Sequence, residues 1–130
     1  MTEKQEKMAA LMDKADRDLK ASEVLLNDED AESHSSIICF HCQQCIEKYL
    51  KAFLISNDKE APMTHDLEYL ASLCSDFDSN FDSFDFRDFA YYGVRIRYDD
   101  PATSLDEAKE AVKTAKNLVS FVKQQFINEV

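Results

Sequence analysis

Two groups of residues in this chain have the types and spacing to do chemistry. Arg95-Ile96-Arg97-Tyr98 sets two guanidiniums two residues apart, with Tyr91 and Tyr92 just upstream, in a protein otherwise rich in acid. Guanidinium forks match phosphate oxygens, and tyrosine faces stack on bases, so the cluster is chemically an anion site. The same pattern also fits a helix C-terminus complemented by positive charge and paired with Asp99 and Asp100. The second group is His41, Gln44, Glu47, Lys48 and Lys51, which helical spacing gathers on one polar strip. His65 follows a capping threonine and is the remaining histidine with a nearby helix; His34 completes the three.

Other constellations fail on spacing. Cys39-x2-Cys42-x2-Cys45 has the look of a cluster ligand run, but the closing Cys-x3-Cys-Pro is absent and all three fall inside a helix. They are expected to be small core side chains, with Cys74, and reduced. Asp76-Phe77-Asp78-Ser79-Asn80 opens like a calcium loop, yet Phe81 and Arg87 stand where glycine and glutamate are needed. No glycine-rich phosphate loop and no Gly-x-Ser-x-Gly elbow occurs. No cofactor or metal is expected.

The elements that must position these residues are helices. One glycine and two prolines in 130 residues leave too few turns for a β-sandwich. A first helix is expected from Glu3 to Leu26, with Thr2 and Gln5 as a capping box and Met8, Leu11, Met12, Ala15, Leu19, Ser22 and Leu26 as its stripe. A second, from Glu32 to Ser56, carries Ile38, Cys42, Cys45, Tyr49 and Phe53 on one face and is apolar around more than half its circumference. That places it centrally beside a cleft. Thr64 is expected to cap a short helix from His65 to Cys74. A fourth helix is expected from Asp82 to Val94, a strand through Phe84 and Phe86 being the alternative. The last begins at the Ser104–Glu107 capping box and carries Leu105, Ala108, Val112, Ala115, Val119, Val122 and Phe126. With no repeat and no linker, residues 1–130 form one all-α domain, an antiparallel up-and-down bundle of four to five helices.

The formal net charge of -11 repels phosphate backbones at long range, so no DNA binding is expected, while a local cationic pocket stays open to a nucleotide or one RNA segment. The charged N-terminus has no signal-peptide core, and no apolar run approaches the roughly 20 residues that span a bilayer. A cytoplasmic protein without a membrane partner is expected.

Four blocks, in order, resemble the HEPN domain family (higher eukaryotes and prokaryotes nucleotide-binding) over nearly the whole chain. They are Ala15–Ala21 leading to Leu25-Leu26, Phe40–Ala52 with its Gln-x-x-Glu-Lys-x-x-Lys pattern, Thr64-His65-Asp66-Leu67, and Arg97-Tyr98-Asp99 followed by the Glu107-Ala108 helix. The resemblance implies a helical bundle, a homodimer, and a minimal nucleotidyltransferase as partner, in a toxin–antitoxin-like or nucleotide-signalling pair. Ribonuclease relatives carry Arg-x4-6-His, whereas here no histidine follows Arg95 or Arg97. The resemblance therefore implies a non-catalytic nucleotide- or RNA-binding module, with Arg95, Arg97, Tyr98, Lys48 and Lys51 on phosphate and His41, Gln44, His65 and Tyr92 in support. Tyr98 lies near the tyrosine that the transferase adenylylates in nuclease-type relatives. The competing readings are a divergent metal-independent ribonuclease toxin and a structural adaptor using the aromatic patch from Phe77 to Phe89.

Overall fold

The computed structural model describes residues 1–92 and 103–128. Arg95, Arg97 and Tyr98 lie outside the described residues. Helix α1 spans Glu3–Leu26, α2 Ser35–Ser56, α3 Leu67–Ser75 and α4 Leu105–Asn128, and no strand occurs among the described residues.

The capping box at the start of α1 is complete: Thr2 Oγ1 accepts from Gln5 N at 3.1 Å and Gln5 Oε1 accepts from Thr2 N at 3.0 Å. Asn27 ends the helix, its side-chain amide donating to Glu23 O. On the inner stripe Ala15 and Ser22 are fully buried, with Met12 and Leu19 packed beside them. The Ser22 hydroxyl donates to Leu19 O at 2.7 Å and also faces the Cys42 thiol of α2.

A one-turn 3-10 segment, Ala31–His34, precedes α2, so the second helix starts at Ser35 rather than Glu32. The expected central position holds. Helix α2 packs against α1, α3 and α4. Ile38, Cys39, Cys42, Cys45, Ile46 and Tyr49 are all fully buried. Most of its apolar circumference is thus covered within one protomer, Ile37 being the exposed exception. All four cysteines are free and buried, and no metal-binding group of three or more ligands occurs among the described residues.

Helix α3 begins two residues later than expected. Asp66 is its cap, with Oδ1 accepting from Tyr69 N at 3.1 Å. Thr64 instead turns its hydroxyl to Asp66 N, a local bond that holds His65 outside the helix.

The expected helix from Asp82 to Val94 does not form over its described part. Two 3-10 segments, Ser79–Ser83 and Arg87–Tyr91, flank Phe84, whose backbone is extended at φ -90 and ψ 136. The aspartates explain the break. Asp78 accepts from Asn80 N and Asp85 from Arg87 N, so short side chains capture amides that a helix would use. The irregular phenylalanine spacing then fits separate turns. Phe81 lies 4.6 Å from Phe53 and 5.0 Å from Phe121, anchoring the segment to α2 and α4.

Ser104 caps α4 through Glu107 N. Ala108, Ala111, Val112, Ala115, Leu118, Val119 and Val122 form its buried stripe. Lys116 reaches Glu23 and Lys123 reaches Asp16, so α4 runs antiparallel to α1. Helices α2 and α4 consequently run the same way, joined by the connection that contains α3. No helix of the described residues is long and apolar enough to cross a membrane.

The buried thiols give the bundle a signed pH dependence. Burial pushes Cys42 and Cys74 up to about 12 and raises Cys45 as well, while unfolded thiols ionise near 9. The unfolded chain therefore loses these protons first. The stability contributed by neutral thiols is complete below pH 9 and is lost as pH rises toward 12, at up to about 1.4 kcal/mol per unit per thiol. Urea midpoints should fall steeply between pH 9 and 11, whereas a flat profile would show that these thiols are solvated. At pH 8 a thiol reagent should label none of the four in the native protein and all four in denaturant.

Candidate functional site

The polar strip of α2 is built from two carboxylates, each clasped by one lysine and one histidine. Asp18, arriving from α1, accepts from His41 Nδ1 at 3.0 Å through Oδ1 and from Lys48 Nζ through Oδ2. Glu47, on α2 itself, accepts from His65 Nδ1 at 2.7 Å through Oε1 and from Lys51 Nζ at 3.2 Å through Oε2. Asp16 adds a third, smaller node, accepting from the buried Tyr49 hydroxyl and facing Lys123 of α4 at 3.6 Å.

Burial decides what these contacts are worth. The side chain of Asp18 is 15% exposed and that of Glu47 7%, while Lys48 and Lys51 are 21% and 16% exposed. Carboxylates that far from water need paired donors, and each has them. Glu47 is the surprise: helical spacing puts it on the polar strip, but the Pro62–Asp66 segment leading into α3 lays His65 over it. Nothing in the sequence signals this, since His65 is expected inside the third helix. Asp18 was not foreseen as part of the site, although it stands in the first of the family-like blocks. By contrast the exposed Asp13–Arg17 pair on α1 is screened and worth little.

The histidines are oriented by the same carboxylates. A carboxylate at neutral pH only accepts, so Nδ1 carries the proton in both rings and Nε2 faces away from the carboxylate. His41 is 30% exposed and His65 79%, so each offers its outer edge at the surface.

Of the expected site residues, the fold brings His41, Lys48, Lys51 and His65 onto one strip. Gln44 is half-buried on the same helix. Tyr92 is elsewhere in kind: it is 4% exposed, packs edge-on to Phe89 at 5.1 Å, and burial raises its hydroxyl. It belongs to the core.

The strip has little net field. Lys48 and Lys51 are balanced by Asp18 and Glu47, so its formal charge is zero while both imidazoles are neutral. A phosphate arriving here would meet ordered donors but no excess cation.

A helical bundle whose central helix carries an inward-braced line of lysine, histidine and carboxylate is the class that fold and site define. The chain belongs to the HEPN domain family, whose model matches residues 8–125. No curated protein and no solved structure matches the chain.

Asp18→Ala should cost about 2 kcal/mol in urea unfolding, because it strands Lys48 and His41 between two helices. Asp13→Ala, which breaks only the exposed pair, should cost less than about 0.5 kcal/mol. Equal effects would mean the strip does not brace the bundle.

Proposed function

We propose that the chain is a nucleotide- or RNA-binding HEPN module that holds phosphate without cleaving it, beside a minimal nucleotidyltransferase in a toxin–antitoxin-like or nucleotide-signalling pair. The observation that carries this reading is the strip on which two lysine ammonium groups and two imidazoles are held in register by the buried Glu47 and the half-buried Asp18. Preorganised donors lose little entropy when an anion arrives. Because the strip is balanced, the attraction must come from Arg95 and Arg97, with Tyr98 beside them; Lys48, Lys51, His41 and His65 then orient the phosphate. No histidine follows those arginines in sequence, which removes the imidazole that ribonuclease relatives use.

One observation favours a second reading, a divergent metal-independent ribonuclease. His41 is held through Nδ1 by Asp18, the arrangement that orients an imidazole with Nε2 outward toward a substrate. The two readings separate cleanly. Purified protein should leave single-stranded RNA intact in chelator. Cleavage that disappears with His41→Ala or His65→Ala would replace the binding reading with the enzymatic one.

For binding, calorimetric titration with ATP and with a short RNA should give saturable affinity that falls at least tenfold in Arg97→Ala. Affinity unchanged in that variant would remove the arginines from the pocket. The family dimer is retained in this proposal, with Val24 and Ile37, 58% and 41% exposed near the end where α1 leads into α2, as its apolar surface. Light scattering should give twice the chain mass and Val24→Asp should halve it; a wild-type monomer at micromolar concentration would exclude the dimer.

A further inference from the structure

The segment from Asp66 to Asp88 carries seven carboxylates and a single basic residue, Arg87. Within it lies a groove of about 320 Å3 that the nucleotide reading does not use. Its floor is apolar: Ala71 of α3 and the half-buried ring of Phe84, with the buried rings of Phe81 and Phe86 beneath. Phe84 and Phe86 stack with centroids 5.8 Å apart and planes 8° from parallel, and Phe84 also leans on Phe121 of α4. The floor is therefore fixed by the core rather than by the loop alone.

The rim is charged. Asp85 is already occupied, since Arg87 Nε donates to Oδ1 at 3.0 Å and Nη2 to Oδ2 at 2.8 Å. That fork leaves Glu68 and Asp82, both exposed, on the same groove with no hydrogen bond or ion pair to a cation among the described residues, although Glu68 lies close enough to Arg87 to feel its charge. Glu68, Asp82 and Asp85 against Arg87 give the groove a formal charge of -2. Aromatic faces flanked by carboxylates attract a planar cation: the ring face takes the guanidinium or its stem, and the carboxylate takes the N–H fork. A volume of this size accommodates one long side chain. Phosphate is repelled by the same rim.

We propose that this groove is a docking site for an arginine side chain from a basic segment of a partner protein. The Arg87–Asp85 fork shows the chemistry already satisfied once on this surface, and Glu68 with Asp82 offers it a second time over the Phe84–Phe86 stack. The site is separate from the α2 strip, so it stands whether or not the phosphate reading does.

The test uses the full chain and a fluorescein-labelled peptide of alternating arginine and glycine, followed by anisotropy at low and physiological salt. A matched peptide with citrulline in place of arginine keeps the shape without the charge. Binding of the arginine peptide should weaken at least tenfold in Glu68→Gln/Asp82→Asn and in Phe84→Leu, and should be absent for citrulline. Glu29→Gln/Glu32→Gln removes the same charge from the α1–α2 connection and should change affinity less than twofold. Thermal melting within a few degrees of wild type confirms that the variants are folded. Equal weakening by the two charge-removing pairs would overturn the proposal in favour of diffuse attraction to an acidic protein. Failure of the arginine peptide to bind, or equal binding of citrulline, would overturn it as well.

Discussion

A helix enclosed on three sides can keep charged side chains only where opposite charge is delivered to them, and this rule governs α2. Its cysteines, Ile38, Ile46 and Tyr49 are drawn inward by burial of apolar area, which commits the helix to the middle of the bundle. Lys48 and Lys51 then cannot escape fully to water, and Glu47 cannot escape at all. Asp18 from α1 and His65 from the segment before α3 are what make that position tolerable. The registration of α1 on α2 and the seating of the α3 lead-in are thus coupled to the same line of charges. Packing chooses the helix, and the ion pairs choose its rotation.

That coupling also makes the proposed binding strip and the structural brace the same residues. A lysine pinned by a carboxylate is a well-placed donor but a poor lure, since its charge is cancelled nearby. In the proposed reading recruitment and orientation are divided between different parts of the chain, the arginines of the 95–97 pair for the first and α2 for the second. The acidic remainder of the protein sharpens this division, because nucleic acid gains nothing from contact elsewhere on the surface.

How far the sequence carried the fold depended on the length of each periodic pattern. The first, second and last helices were legible because their stripes run over six turns and their caps, Thr2 and Ser104, use unmistakable side-chain chemistry. The region from Thr64 to Tyr92 was not. There each aspartate, serine or threonine could bond its own neighbourhood as readily as cap a helix, and the winner is set by tertiary anchoring of Phe81, Phe86 and Phe89. For the strip, spacing on α2 found His41, Lys48 and Lys51. It missed Asp18, because a carboxylate on one amphipathic helix gives no sign of which lysine on another it will meet. The burial of Glu47 was not legible for the same reason: its cover comes from a loop.

The parallel course of α2 and α4 has a consequence for how the protein is made. Residues 35–56 and 105–128 are neighbours in space but lie some fifty residues apart along the chain, whereas α1 and α2 are contiguous partners. During synthesis the α1–α2 hairpin can zip as soon as it clears the ribosome. Until the final segment emerges, the flank of α2 destined for Ala111, Ala115 and Leu118 faces only solvent or a chaperone. The nascent chain thus passes through a stage in which its most apolar helix is half dressed.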